Sequence, residues 1–211
     1  MKILLAAASF ASKMSGLQRH ALNVARCLLL EPEVSALHLV IAPWQHHFVQ
    51  AAGLDSDSRV VTHIAKMDKS SVSRNLWYYR DLPELAARLE VDLVHFSYPM
   101  PVNAAAFSCP TLLTLHDLYP YEIPMNFGFP KFIFNRLILN QCLRNADAIA
   151  CSAAVRAASG ERARTCDACR ASWAARCRYW VASVSMCIVD EPPCQSAVAM
   201  SFKATPGRRG G

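Results

Sequence analysis

The sequence predicts an α/β protein built on a doubly wound parallel sheet, and three observations predict it. Strand-like apolar runs recur through the first 152 of the 211 residues. Amphipathic helical stretches alternate with them, and the runs are apolar throughout rather than at every second residue, as strands covered on both faces must be.

Each element has its own signal. Residues 2–9 read as a buried strand. The rival reading of the first 12 residues is a signal peptide, but a single Lys2 is a thin charged region and a helix begins at once behind the apolar run. The strand is preferred, and a cytoplasmic protein with Cys27, Cys109, Cys142 and Cys151 as free thiols follows from it. Ser15 with Gln18 three residues on is a capping-box pattern. Behind it Leu17, Ala21, Val24, Ala25 and Leu28 form one apolar stripe, and Glu31-Pro32 ends the helix. Residues 36–42 and 59–65 read as the second and third strands. A long helical region spans about 71–90, interrupted near Pro83. Two more strands, 91–97 and 111–116, are separated by Pro99-Met100-Pro101 and a short Ala-rich piece. After a proline-spaced loop, 118–130, a helix over 131–145 leads to a sixth strand, 147–152. Right-handed crossovers place every strand's C-terminal end on one edge of such a sheet, so function belongs in the loops after strands.

Composition divides the chain near residue 152. Residues 1–152 carry 13 Lys and Arg against 12 Asp and Glu, and residues 153–211 carry 9 against 4, so most of the net charge of +6 lies in the tail. A near-neutral body gives no electrostatic reason to expect nucleic acid as a partner. The body holds 22 leucines and all 7 histidines, whereas the last 59 residues contain no Leu, His or Asn. No ordinary globular segment of that size lacks leucine. No apolar run reaches the roughly 18 residues that a membrane span needs. The helix over 131–145, with Phe132, Ile133, Phe134, Leu137 and Leu139, either packs on the sheet or lies against a membrane surface as a peripheral contact.

Three loops carry candidate chemistry. After the first strand, Ser15-Gly16 stands directly before the capped helix. There a glycine lets a phosphate approach the backbone, and the helix N-terminus attracts the anion; the alternative is that Gly16 only makes the turn. No G-x-G-x-x-G is present, so a dinucleotide dehydrogenase is not supported. After the fifth strand, His116 stands where the chain leaves the sheet, able to give or take a hydrogen bond at the ligand edge. Asp117 either orients that histidine or caps a turn. After the fourth strand, Ser97-Tyr98-Pro99 lines the same cleft or simply turns the chain. Arg19 and His20 lie on the first turn of the capped helix, where Arg19 meets an anion or faces water. His95 falls inside the fourth strand and is assigned to the core.

Five segments in register, MKILL, SGLQRHALNVARCLL, VDLVHFSYPMP, PTLLTLHDLYP and LRNADAIACS, resemble the N-terminal domain of glycosyltransferase family 4 across residues 1–152. The resemblance implies one Rossmann-like half of a GT-B fold. It implies a nucleotide-sugar donor, a glycan or lipid acceptor, transfer with retention at the anomeric carbon, and no metal or other cofactor. The family's first loop usually reads Gly-Gly and donates backbone N–H bonds to the donor diphosphate. Here it reads Ser15-Gly16, so only Gly16 matches directly. By the same resemblance His116 lies against the reacting sugar as the catalytic group. The nucleotide pocket and the spaced glutamates belong to a C-terminal domain that nothing after Ser152 resembles. The sequence is therefore read as a truncated transferase, inactive or impaired alone, or as a non-catalytic acceptor-binding module. Residues 153–211 are read as a poorly structured tail, a GC-rich coding sequence translated out of frame. The alternative for the tail is a zinc site at Cys166 and Cys169, for which no second close pair or His pair exists.

Overall fold

The computed structural model describes residues 1–116, 128, 131–151 and 199–201. Asp117, most of the loop before the last helix, Ser152 and most of the tail, Cys166 and Cys169 included, lie outside them. The elements in order are β1 Lys2–Ala6, α1 Gly16–Leu30, β2 Ala36–Ile41, α2 His46–Ala51, β3 Val60–Ile64, α3 Ser71–Leu76, α4 Leu82–Leu89, β4 Leu93–Phe96, β5 Thr111–Leu115, α5 Lys131–Asn145 and β6 Ala148–Cys151. The six strands are parallel, in the order β3-β2-β1-β4-β5-β6, and a short strand, β7 Ala199–Ser201, runs antiparallel on β6. This is the predicted doubly wound α/β sheet. Its strand order reverses direction between β1 and β4, and a crevice opens outside the strand ends at such a point.

Alternation along each strand sorts the core into two layers. Leu4, Ala6, Val40, Val94, Phe96, Leu113 and Leu115 face one side, under Trp77, Tyr78, Leu82, Leu85 and Ala86 and under Leu139, Cys142 and Ala146 of α5. Ile3, Leu5, Leu37, Leu39, Ile41, Leu93 and Leu112 face the other, under Ala21, Leu22, Val24, Ala25 and Leu28 of α1 and Phe48 and Val49 of α2. Both faces are covered, so each strand reads as a continuous apolar run.

Three expectations are corrected. Leu17 was placed on the buried stripe of α1 but is 38 % exposed, while Gln18 beside it is buried at 5 %. Gln18 is drawn inward because its side chain closes the capping box and also holds the β1–α1 loop. The helical region does not break at Pro83. It runs on through a π-helical turn, Trp77–Asp81, into α4, where Pro83 stands in the first turn. β3 is an edge strand with Val61 and Ile64 exposed rather than a fully covered one. Segment 43–51, which forms a 3-10 turn and α2, was not foreseen. Six residues are too few to show a helical stripe.

Helix α5 packs on the sheet through part of its apolar face. Leu139 and Cys142 are buried against the sheet, while Ile133, Phe134 and Leu137 stay exposed. No helix of the described residues is long and apolar enough to cross a membrane. Among the described residues Cys27, Cys109 and Cys142 form no disulfide.

Candidate functional site

The candidate site is the C-terminal rim of the sheet around β1, β4 and β5. Its first wall is the β1–α1 loop, fixed from below by a buried amide network. Gln18 Nε2 donates to Ser9 Oγ (3.2 Å) and to the Ala11 carbonyl (2.7 Å), and its Oε1 accepts from Ser15 N at 2.7 Å. Gln45 Nε2 also donates to Ser9 Oγ, at 2.8 Å, while its Oε1 accepts from Ser9 N and Ala42 N. Trp44 Nε1 closes the group on the Ser9 carbonyl at 3.0 Å. Buried amides with both ends satisfied hold a loop in one conformation.

Ser15 has extended backbone and its Oγ accepts from Gln18 N, completing the reciprocal cap. The N–H groups of Gly16 and Leu17 have no intrahelical acceptor, as at every helix start. Gly16 does not have a positive φ, and a Cβ built on it would meet nothing within 4 Å. Neither the turn nor packing therefore requires glycine there, and the space over the helix end is open. Arg19 is exposed on the same turn.

The second wall comes from β5. His116 Nε2 donates to the Ser97 carbonyl at 2.8 Å, tying the end of β5 to the end of β4. The His116 ring meets His20 of α1 edge-on, with centroids 4.6 Å apart. This contact joins the start of α1 to the end of β5, so Gly16 and His116 share one rim. Beneath them His95 is 2 % exposed and its Nε2 lies 2.8 Å from Thr114 Oγ1. Burial, and then the neighbouring His116, pushes the His20 pKa down to about 4. Burial also pushes His95 down to about 3, with His20 and His116 adding to the shift. Both rings are neutral at pH 7, and their charge contributes nothing to the rim's field.

Ser97 and Tyr98 sit at the same rim but are buried, at 1 % and 7 % exposure. The Tyr98 hydroxyl donates to the Ala8 carbonyl, which also accepts from Tyr78 Oη at 3.0 Å. The two residues form the floor between β1 and β4 rather than an open lining. Asp117 falls outside the described residues. Two shallow clefts of about 430 and 640 Å³ flank α3 beyond the ends of β2 and β3, sharing Lys66 and Ser73, and neither is lined by His20 or His116. Their shape is that of open surface, and the convergent chemistry lies elsewhere.

Sequence reading missed Arg74, whose guanidinium carbon stacks 3.7 Å over the Phe10 ring. No local pattern marks it, because its partner lies on the far side of two strands and two helices. His20 was visible only as a helix-surface residue.

The model of Glycosyltransferase Family 4 matches residues 14–167. No curated protein matches the chain. The family match covers most of the chain and includes α1, β4 and β5, with Ser15, Gly16, His20 and His116 of the rim. The chain belongs to Glycosyltransferase Family 4.

Proposed function

We propose that this rim is the acceptor side of a retaining sugar transferase that uses a nucleotide-sugar donor, without a metal, and a glycan or lipid acceptor. The observation that carries the reading is the His20–His116 contact, which sets His116 beside the open N-terminus of α1. In the reaction the bond from the anomeric carbon to the diphosphate breaks, and a bond to an acceptor hydroxyl oxygen forms on the same face. The hydroxyl proton passes to an oxygen of the departing diphosphate. Gly16 and the first N–H groups of α1 hold a diphosphate oxygen, with Ser15 fixing the turn. His116 positions hydroxyls of the reacting sugar and supports its oxocarbenium-like charge. The nucleotide itself is held by residues of a second lobe, and the chain alone turns over little or no donor. The reaction proceeds in the cytoplasm.

The test is a set of labelled nucleotide sugars and an array of glycans and glycolipids, applied to the purified chain. Acceptor binding with little turnover is expected, and His116→Ala should weaken that binding about tenfold or more. Gly16→Ala should lower affinity for the nucleotide sugars. It should leave the thermal midpoint unchanged or raise it, since alanine gains up to about 1 kcal/mol where glycine is not required. A chain that binds neither sugar nucleotide nor glycan overturns the proposal. Rapid turnover would instead show that the donor site is complete in this chain.

A further inference from the structure

The rim between β1 and β4 holds a cation that the reading above does not use. Arg74, on α3, lies flat on Phe10, the residue that follows Ser9 in the β1–α1 loop. Stacking occupies the π face of a guanidinium and leaves its five in-plane N–H donors for other partners. Among the described residues one donor has a partner, a marginal 3.5 Å contact from Nη2 to Asn75 Oδ1. Nε is buried and has no hydrogen-bond partner among the described residues. A buried donor without an acceptor is costly, and native structures keep few of them. Among the described residues no carboxylate lies within ion-pair distance of Arg74; the ion pairs are Lys2 with Glu90 and Arg59 with Asp57.

A second cation stands beside the same loop. Lys69 Nζ lies 5.4 Å from the centroid of Trp44, and Trp44 is itself bonded to the Ser9 carbonyl. Lys69 also has no carboxylate partner among the described residues. Two aromatic rings, one tethered to Ser9 and one following it, therefore each hold a cation against the β1–α1 loop, which leaves the sheet at the strand-order reversal where ligands of such sheets bind. The floor is the pair of hydroxyls of Tyr78 and Tyr98, 3.3 Å apart. Burial disfavours the charged form of Arg74, and an anion brought beside it would offset that cost.

We propose that Arg74, with Lys69 beside it, binds an oxyanion, phosphate or carboxylate, carried by the acceptor. This rests on the rim being the acceptor side. Arg74 grips two oxygens with its fork, while Lys69 supplies a second, more mobile charge. Acceptors without an anionic group leave the fork unfilled and bind more weakly.

The experiment is titration of the full chain with inorganic phosphate, and separately with acetate, followed by 31P or 1H NMR and by calorimetry. Wild type is expected to bind at least one of the two. Arg74→Gln should weaken that binding about tenfold or more, Arg74→Lys should fall between, and Lys69→Gln should weaken it a few-fold. Tighter phosphate assigns a phosphorylated acceptor, and tighter acetate one bearing a carboxylate. If Arg74→Gln does not fold, Arg74→Lys and the exposed Lys69→Gln decide the matter. Gly16→Ala separates the two sites, because it should leave this anion in place. Binding that survives Arg74→Gln but is lost in Gly16→Ala overturns the inference and leaves the proposed diphosphate site standing. Arg74-dependent binding in a chain that recognises no sugar overturns the transferase reading and leaves the anion site. No binding of either probe overturns the inference.

Discussion

Replacing Phe96 with alanine is expected to lower the free energy of unfolding by about 3–5 kcal/mol. Phe96 is the last residue of β4, fully buried beside the strand-order reversal. Its ring has Phe107 edge-on at 6.0 Å and Tyr78 tilted at 6.1 Å. Truncation removes both aromatic contacts and leaves a cavity lined by the sheet on one side and rigid rings on the other, a site with little freedom to collapse. A loss of that size is a large share of the roughly 5–15 kcal/mol that domains of this kind possess. Leu17→Ala is the contrast. Leu17 projects from α1 into solvent, and its removal should change stability by no more than about 0.5 kcal/mol. Urea denaturation of the two variants against the wild type measures both. Equal midpoints for Phe96→Ala and wild type would show that β4 does not run through the centre of the sheet.

The order and type of the main elements were legible because the strands are buried on both faces and leave unbroken apolar runs. β1, β2, β4 and β5 each carry one, and α5 was legible to its ends. Legibility failed where one residue serves two elements. Gln18 belongs to the capping box and also to the Ser9 network, so α1 turns it inward in place of Leu17. It failed again at Pro83, where a proline that ought to end a helix instead enters the first turn of one, because a π-helical turn precedes it. The place of His116 at a strand end on the ligand edge was visible. Its contact with His20 was not, since that depends on which strands pair: β1 lies between β2 and β4, and no periodicity within a strand records its neighbours. The same holds for Arg74 and Phe10. Ser97 and Tyr98 were placed on the correct rim, but only packing against Tyr78 and Ala8 shows that they are its floor.

The histidines make the fold sensitive to acid, in a direction set by their depressed pKa values. His20 titrates near pH 4 and His95 near pH 3 in the folded chain, each held down by burial first and by neighbouring imidazoles second. In the unfolded chain both return to about 6.5. Between pH 6.5 and 4 the unfolded state therefore binds more protons than the folded one, and stability falls as pH falls. Above pH 6.5 the contribution is complete and flat. At about 1.4 kcal/mol per unit of separation, the two groups together cost several kcal/mol by pH 4.5. Urea midpoints at pH 7.5 and 4.5 measure the loss directly, and His20→Gln should recover about 2 kcal/mol of it. Carboxylates that titrate in the same window cancel when the variant is compared with wild type. The functional consequence concerns the source of positive potential on the rim. With His20 and His95 neutral at pH 7, the proposed anion sites draw on the N–H groups and dipole of α1 and on Arg74 and Lys69, so titration of those two rings should leave ligand affinity unchanged between pH 6 and 8. An acid loss in His20→Gln equal to that of wild type would mean that His20 is solvated rather than packed against His116, and the joined rim would fail with it.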